Sequence, residues 1–250
     1  MKRIQLSVLY LLPMLGMAQY TLSGLRGMIN VPHAEVLKEK TFMIGVHTND
    51  QEYFLLDYGE NRQDGDEYVS VVSFGFYDRL NITLMLSRIF GDPEQTVGVR
   101  SSIGDRSIQF TYVLLKEGAW RPALAINLTD PLFSTSQFLA GNHLVASKHL
   151  IKNKTHDVNA SLGYGVPYLL TLSEGSGGSL QDKESGFLTG FFGGIAYQYV
   201  PAHLNVMLEY DGRSMNAGVG VKFWEKLSLQ GYLQGFKYPG IGINFSGSIH

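Results

Sequence analysis

The sequence predicts an all-β protein, a single antiparallel transmembrane β-barrel of about 12 strands, with roughly 10 to 14 as the compatible range. Three observations carry that expectation. Short runs of alternating apolar and polar residues recur along the chain, each bounded by turn residues. The chain opens with an export signal. Beyond that signal, no run of about 18 apolar residues exists that would make a membrane-spanning helix.

The export signal comes first in the chain. Lys2 and Arg3 give it a positive start, residues 4–15 an apolar stretch, and Gly16 and Ala18 the small residues of a cleavage site. The apolar stretch is shorter than the roughly 20 residues a spanning helix needs. Residues 1–18 are therefore expected to be a cleaved signal peptide, and residues 19–250 one outer-membrane β-barrel domain. No linker or shift in composition divides the latter.

The strands follow by their period of two. Leu80, Ile82, Leu84 and Leu86 alternate with Asn81, Thr83, Met85 and Ser87. Ile108, Phe110, Tyr112 and Leu114 oppose Ser107, Gln109, Thr111 and Val113, and Leu124, Ile126 and Leu128 oppose Ala123, Ala125 and Asn127. Nearer the C-terminus, Leu204, Val206, Leu208 and Tyr210 alternate with Asn205, Met207, Glu209 and Asp211. The next runs set Val219 and Val221 against Gly218 and Gly220, then Leu227, Leu229 and Leu233 against Ser228, Gln230 and Gln234.

A soluble sheet with one wet face also alternates. The membrane barrel is favoured because the polar side holds Asn, Gln, Ser, Thr, Gly and isolated charges, which suit a hydrated lumen, while the other side repeats Leu, Val and Ile with Tyr or Phe near strand ends. In lipid every strand must pair on both sides, so the sheet closes. Short turns are expected at residues 77–79, 104–106, 211–213 and 224–226, and longer polar connections at 59–66 and 174–186. Residues 240–245 (GIGINF) have the look of a C-terminal signal for the barrel-assembly machinery, and equally of an ordinary last strand.

Composition narrows the chemistry. Charged residues make up 17% of the chain, against the roughly 25% of soluble domains. The absence of cysteine excludes disulfides, thiolate metal sites and a catalytic thiol. A formal charge of −2 argues against nucleic acid as a partner. His33, His47, His143, His149, His156, His203 and His250 show no metal-ligand spacing, and neither a nucleophile elbow nor a phosphate-binding loop is present. The Gly pairs 163/165, 218/220 and 240/242 read as strand glycines that permit close packing or bending. No catalytic, cofactor-binding or metal residue is expected, and no cofactor.

Arg88, Arg100, Arg121, Glu209 and Lys222 are isolated charges on the polar faces, hence candidate lumen residues. They either pair into a network that fills a narrow lumen or line a path for an anionic sugar polymer. Tyr112, Tyr164, Tyr197, Tyr210 and Tyr232 read as interfacial girdle residues, with a sugar-stacking platform as the rival.

One set of segments goes beyond barrel patterning. These are GLRGMINVPHA (24–34), DRSIQF (105–110), PALAI (122–126), LVASK (144–148), EYDG (209–212) and NAGV (216–219). In this order they resemble the YjbH-like family of outer-membrane proteins associated with exopolysaccharide and capsule production, and the resemblance covers residues 22–245. It implies a non-enzymatic barrel in the outer membrane of a Gram-negative bacterium, assisting exopolysaccharide or capsule production or export. Its implied partners are outer-membrane lipid, the barrel-assembly machinery, periplasmic polysaccharide-export proteins and an exopolysaccharide. The chain is shorter than the larger family members. Within the first segment, Gly27, Asn30 and Pro32 carry the family pattern; Gly27 permits backbone conformations closed to other residues, and Pro32 removes a donor. This segment enters the lumen, starts the barrel or makes a turn before the first strand. Two other functions stay open: a barrel enzyme using a rim residue such as His143 or Ser147, and a small passive pore.

Overall fold

The structure is a computed structural model that describes residues 19–50, 53, 65–91, 102–130, 139, 141–166, 168–173, 177–182, 187–224 and 226–249. The segment expected to be a signal peptide, residues 1–18, lies outside them, as do Arg100 and most of the 59–66 connection.

Alternation becomes strand almost everywhere it was expected. The elements are β1 (Thr41–Asp50), β2 (Gly65–Phe76), β3 (Leu80–Gly91), β4 (Ser102–Leu115), β5 (Ala123–Thr129), β6 (His143–Lys152), β7 (His156–Gly165), β8 (Tyr168–Ser173), β9 (Gly177–Asp182), β10 (Gly190–Tyr199), β11 (Leu204–Tyr210), β12 (Met215–Phe223), β13 (Leu227–Gln234) and β14 (Tyr238–Ser248). Twelve of them form one closed antiparallel barrel, in which each strand pairs with its chain neighbours and β10 follows β7. Closure is made by β1 on β14, from Thr41 opposite Ser248 to Thr48 opposite Ile241. Strands β8 and β9 form a separate hairpin inserted between β7 and β10; β8 precedes the long connection expected at 174–186, and β9 lies within it.

The two rims differ. One carries the compact connections 77–79, 116–122, 153–155, 200–203 and 224–226; the other carries the long ones, 51–64, 92–101, 130–142 and 166–189, with two tight turns at 211–214 and 235–237. One expected turn is corrected. Residues 104–106 lie inside β4, where the register against β3 shifts between Leu86/Arg106 and Arg88/Ile103. One residue of β3, Ser87, is matched by two of β4, so Gly104 and Asp105 make a β-bulge and not a chain reversal.

Period two divides the wall into an outer and an inner surface. Ile44, Val46, Leu84, Leu114, Leu144, Leu162, Ile195, Val206, Leu208, Val219, Ile241 and Ile243 face outward and exposed. Trp120, Trp224, Tyr77 and Phe76 extend this outer surface at the short-turn rim, and Tyr68, Tyr164, Phe191 and Tyr210 near the other. The inner surface is mixed: Ser73, Thr83, Gln109, Asn127, Ser161, Asn205, Gln230 and Asn244 alternate around the wall with Met43, Val71, Met85, Val113, Phe192 and Met207, all buried. A water-filled lumen does not bury apolar side chains, so something occupies it.

Candidate functional site

What fills the lumen is the chain's own N-terminal segment, residues 19–37. Leu22, Met28, Ile29 and Val31 are fully buried, and Tyr20, Ala34, Val36 and Leu37 join them in one cluster with the apolar residues of the wall. Of the three readings of the 24–34 segment, entry into the lumen is the one observed. The segment is folded on itself by two isolated bridges, Tyr20 with Arg26 and Gly27 with Pro32. Gly27 is required by contact: a Cβ there would meet Pro32 Cα at 2.8 Å and the Val31 carbonyl even closer. Gly24, at φ 80°, turns the chain where a Cβ would lie 2.8 Å from Val71 Cβ.

The wall supplies the polar partners this irregular backbone lacks. Gln19 pairs with Asn205 near the short-turn rim. Gln230 Nε2 donates to Tyr20 O at 3.1 Å, Gln109 Nε2 to Ser23 O at 3.3 Å and Ser73 Oγ to Gly24 O at 2.7 Å. The segment then reaches towards the long-loop rim. There the Glu209 carboxylate accepts from Ile29 N (3.1 Å), Asn30 N (2.8 Å) and Val31 N (3.0 Å), and from Asn216 Nδ2 (3.1 Å). Asn30 Nδ2 donates to Asp211 Oδ2 at 3.0 Å. On the way back His33 pairs with Asn159, Ala34 N donates to Ser147 Oγ at 2.9 Å, and Leu37 N donates to Asn81 Oδ1 at 3.0 Å.

At both rims the plug meets charged groups. At the long-loop rim, Tyr53 donates to Asp211, lies 2.8 Å from Ser214 Oγ, and carries the Arg213 guanidinium 4.6 Å from its ring centre. Burial, reinforced by the Asp211 charge, pushes the Tyr53 phenol well above its ordinary pKa. At the short-turn rim, Arg26 pairs with Glu35 at 3.1 Å and holds its carboxyl below the usual glutamate range. Lys148 pairs with Glu117 at 2.8 Å, and Glu35, Glu117 and His149 bring ligand atoms within 4.8 Å of one another. A cavity of about 660 Å³ opens here between plug and wall, with Arg26, Glu35, Lys116, Glu117 and Lys152 among its lining.

The candidate charges separate under this geometry. Glu209 faces inward and binds the plug, which sequence pattern alone placed but could not assign. Lys222 shares the inward row of Asn216, Gly218 and Gly220, half-buried where β12 meets the short-turn rim. Arg88 is corrected: it is exposed, on the same row as Leu84 and Leu86 and opposite Tyr68. Counting in twos from Leu80 reaches 88, so parity assigned it to the outer face. Arg121 is also corrected, exposed in the β4–β5 connection before the strand begins. Among the described residues, the lumen is filled by the backbone and apolar side chains of the N-terminal segment, and of the candidate charges only Glu209 is fully buried in it.

Tyr112, Tyr164, Tyr197 and Tyr210 face outward, but Tyr232 points inward, its hydroxyl donating to Thr48 O at 2.9 Å. The paired glycines explain how rings fit: a Cβ at Gly240 would overlap the Tyr232 ring, one at Gly163 the Phe192 ring, and one at Gly242 the His47 ring. Of the two residues considered for a rim enzyme, His143 packs edge-on against Phe192, and Ser147 Oγ is engaged by the plug and, at 2.8 Å, by Ser161.

Among solved structures, the chain is similar to a KdgM porin, at 14% identity and a TM-score of 0.45, covering 84% of this chain and 99% of that one. It is also similar to an outer membrane channel from Pseudomonas putida F1, at 11% identity, TM-score 0.40, covering 89% and 100%. The N-terminal β-barrel domain of OprF from Pseudomonas aeruginosa matches at 10% identity, TM-score 0.19, covering 84% and 100%. No curated protein sequence matches. The YjbH family, described as "Exopolysaccharide biosynthesis protein YbjH", matches residues 20–220, from the lumenal plug into β12, and the chain belongs to that family.

Proposed function

We propose that the protein is a non-enzymatic barrel of the outer membrane that assists the production or export of an exopolysaccharide, with a lumen held shut by its N-terminal segment. The observation that carries this reading is the combination of an apolar outer wall with a lumen filled by residues 19–37, in a chain of an exopolysaccharide biosynthesis family. An outward band of Leu, Ile and Val on a sheet without free edges suits lipid. In this reading residues 1–18 are removed on export, the barrel-assembly machinery inserts the chain, and the short-turn rim faces the periplasm. The plug ends and the charged cavity then face periplasmic polysaccharide-export proteins.

A passive pore fits less well, because the wall spends Glu209, Asn159, Ser147 and Gln230 on holding the plug and not on lining a water path. Two experiments test the reading. Membrane fractionation is expected to recover the protein with the outer membrane; recovery as a soluble periplasmic protein removes the barrel's proposed home. A deletion strain is expected to lose surface exopolysaccharide, and an unchanged polymer yield removes the function while leaving the barrel intact.

A further inference from the structure

We propose that Glu35, Glu117 and His149 form a binding site for a divalent cation of the zinc type, which staples the plug to the barrel wall at the short-turn rim. The three residues come from three separate parts of the fold: the plug, the β4–β5 connection and β6. Glu35 Oε1 lies 3.4 Å from His149 Nε2. That is long for a charge-assisted hydrogen bond, whose usual span is about 2.7–2.9 Å. It equals the edge of a tetrahedron with metal–ligand bonds of about 2.0–2.1 Å, which places neighbouring ligands roughly 3.3–3.4 Å apart.

The surroundings suit the same chemistry. The other imidazole nitrogen, Nδ1, lies 3.2 Å from Asp157 Oδ1, the carboxylate–histidine arrangement that orients a metal-bound imidazole and raises its basicity. Arg26 occupies Glu35 Oε2 and leaves Oε1 turned to the imidazole. Lys148 Nζ and the His149 N–H both donate to Glu117 Oε1, so Oε2 is the oxygen available to a cation. Glu35 and Glu117 also line the 660 Å³ cavity, which supplies an open side for a water or ligand in the fourth position. One group stands in the way: Lys152 Nζ lies 3.2 Å from His149 Nε2, on an exposed side chain that can swing into solvent. One nitrogen and two carboxylate oxygens select zinc over magnesium, which prefers an octahedral oxygen shell.

The inference stands apart from the polysaccharide reading, since it concerns only how the plug is held. Calorimetric titration of Zn²⁺ into the purified protein in detergent tests it, with far-UV circular dichroism confirming the fold of each variant. We expect one zinc per barrel, unaffected by excess Mg²⁺, and at least about tenfold weaker binding in Glu35→Gln and in His149→Ala. Lys152→Ala, at an exposed position, is expected to tighten binding by removing the competing ammonium. The absence of zinc binding in the wild type, equal binding in His149→Ala, or weaker binding in Lys152→Ala overturns the proposal.

Discussion

Replacing Glu209 with alanine is the most direct test of the plugged lumen. The substitution leaves three backbone N–H donors, of Ile29, Asn30 and Val31, without their acceptor in a buried place. At about 1–3 kcal/mol for each orphaned buried group, the gross loss is roughly 3–9 kcal/mol. Relief of the like charge on Asp211, which shares Asn216 with Glu209, returns part of it. A net loss of about 3–5 kcal/mol follows, the range found when one partner of a buried charged contact is removed. At about 1.4 kcal/mol per tenfold, the displaced plug becomes roughly 10²- to 4 × 10³-fold more populated. Single-channel recording in planar bilayers reads this out: the wild type is expected to be nearly silent and Glu209→Ala to open in discrete steps. Glu209→Gln, which keeps one carbonyl acceptor, is expected to fall between. If Glu209→Ala is as silent as the wild type and its urea midpoint is unchanged, the reasoning about what holds the plug is refuted.

Three further outcomes are expected. Gly163→Ala puts a methyl into the Phe192 ring and 2.9 Å from the Leu144 carbonyl, and is expected to cost about 1–3 kcal/mol in urea unfolding; adding Phe192→Leu is expected to recover part of that, whereas strict additivity argues against the ring as the cause. Arg88→Leu, on the outer row near the end of β3, is expected to change stability by no more than about 1 kcal/mol, and a loss of several kcal/mol contradicts its outward placement. The raised pKa of Tyr53 makes its contribution complete below the unfolded value of about 10 and progressively lost as pH rises above it. Wild-type stability is therefore expected to fall faster than that of Tyr53→Phe above about pH 10, and parallel pH profiles speak against the buried phenol.

The wall was legible because a barrel strand writes its own parity. Leu204 through Asp211 and Gly218 through Lys222 fall on the faces that alternation assigns to them, since lipid or solvent outside and a filled interior inside demand opposite residues every second position. Arg88 shows the limit of reading charge before parity: its type said lumen, its position said outside, and position prevailed. The bulge at Gly104 has the sequence of a turn, because Gly-Asp-Arg has the composition of one, and only the partner strand's register reveals that the chain continues. The Glu35, Glu117 and His149 cluster left no spacing signal at all, because its members lie on three elements far apart in sequence.

The plug left a signal that composition could not decode. Residues 19–37 show no period, since an irregular segment inside a barrel has neither a helical nor an extended face. Its mark lies in the wall instead. Polar lumen residues such as Gln109, Ser73 and Gln230 suit water as well as a plug, but Met43, Val71, Met85, Val113 and Met207 on the same inner surface do not suit water. Glycines carry the complementary mark: a Cβ at Gly194 would meet Met28 Sδ at 2.7 Å, one at Gly218 would meet Ile29 Cδ1 at 3.1 Å, and one at Gly220 would overlap Gln19. Wall and plug are therefore shaped to each other. Full withdrawal would expose the apolar residues of the inner surface to water, which opposes it. Deleting residues 19–37 is accordingly expected to yield a less stable barrel as well as a leakier one, and a deletion variant with wild-type urea midpoint would show that the inner surface does not need its plug.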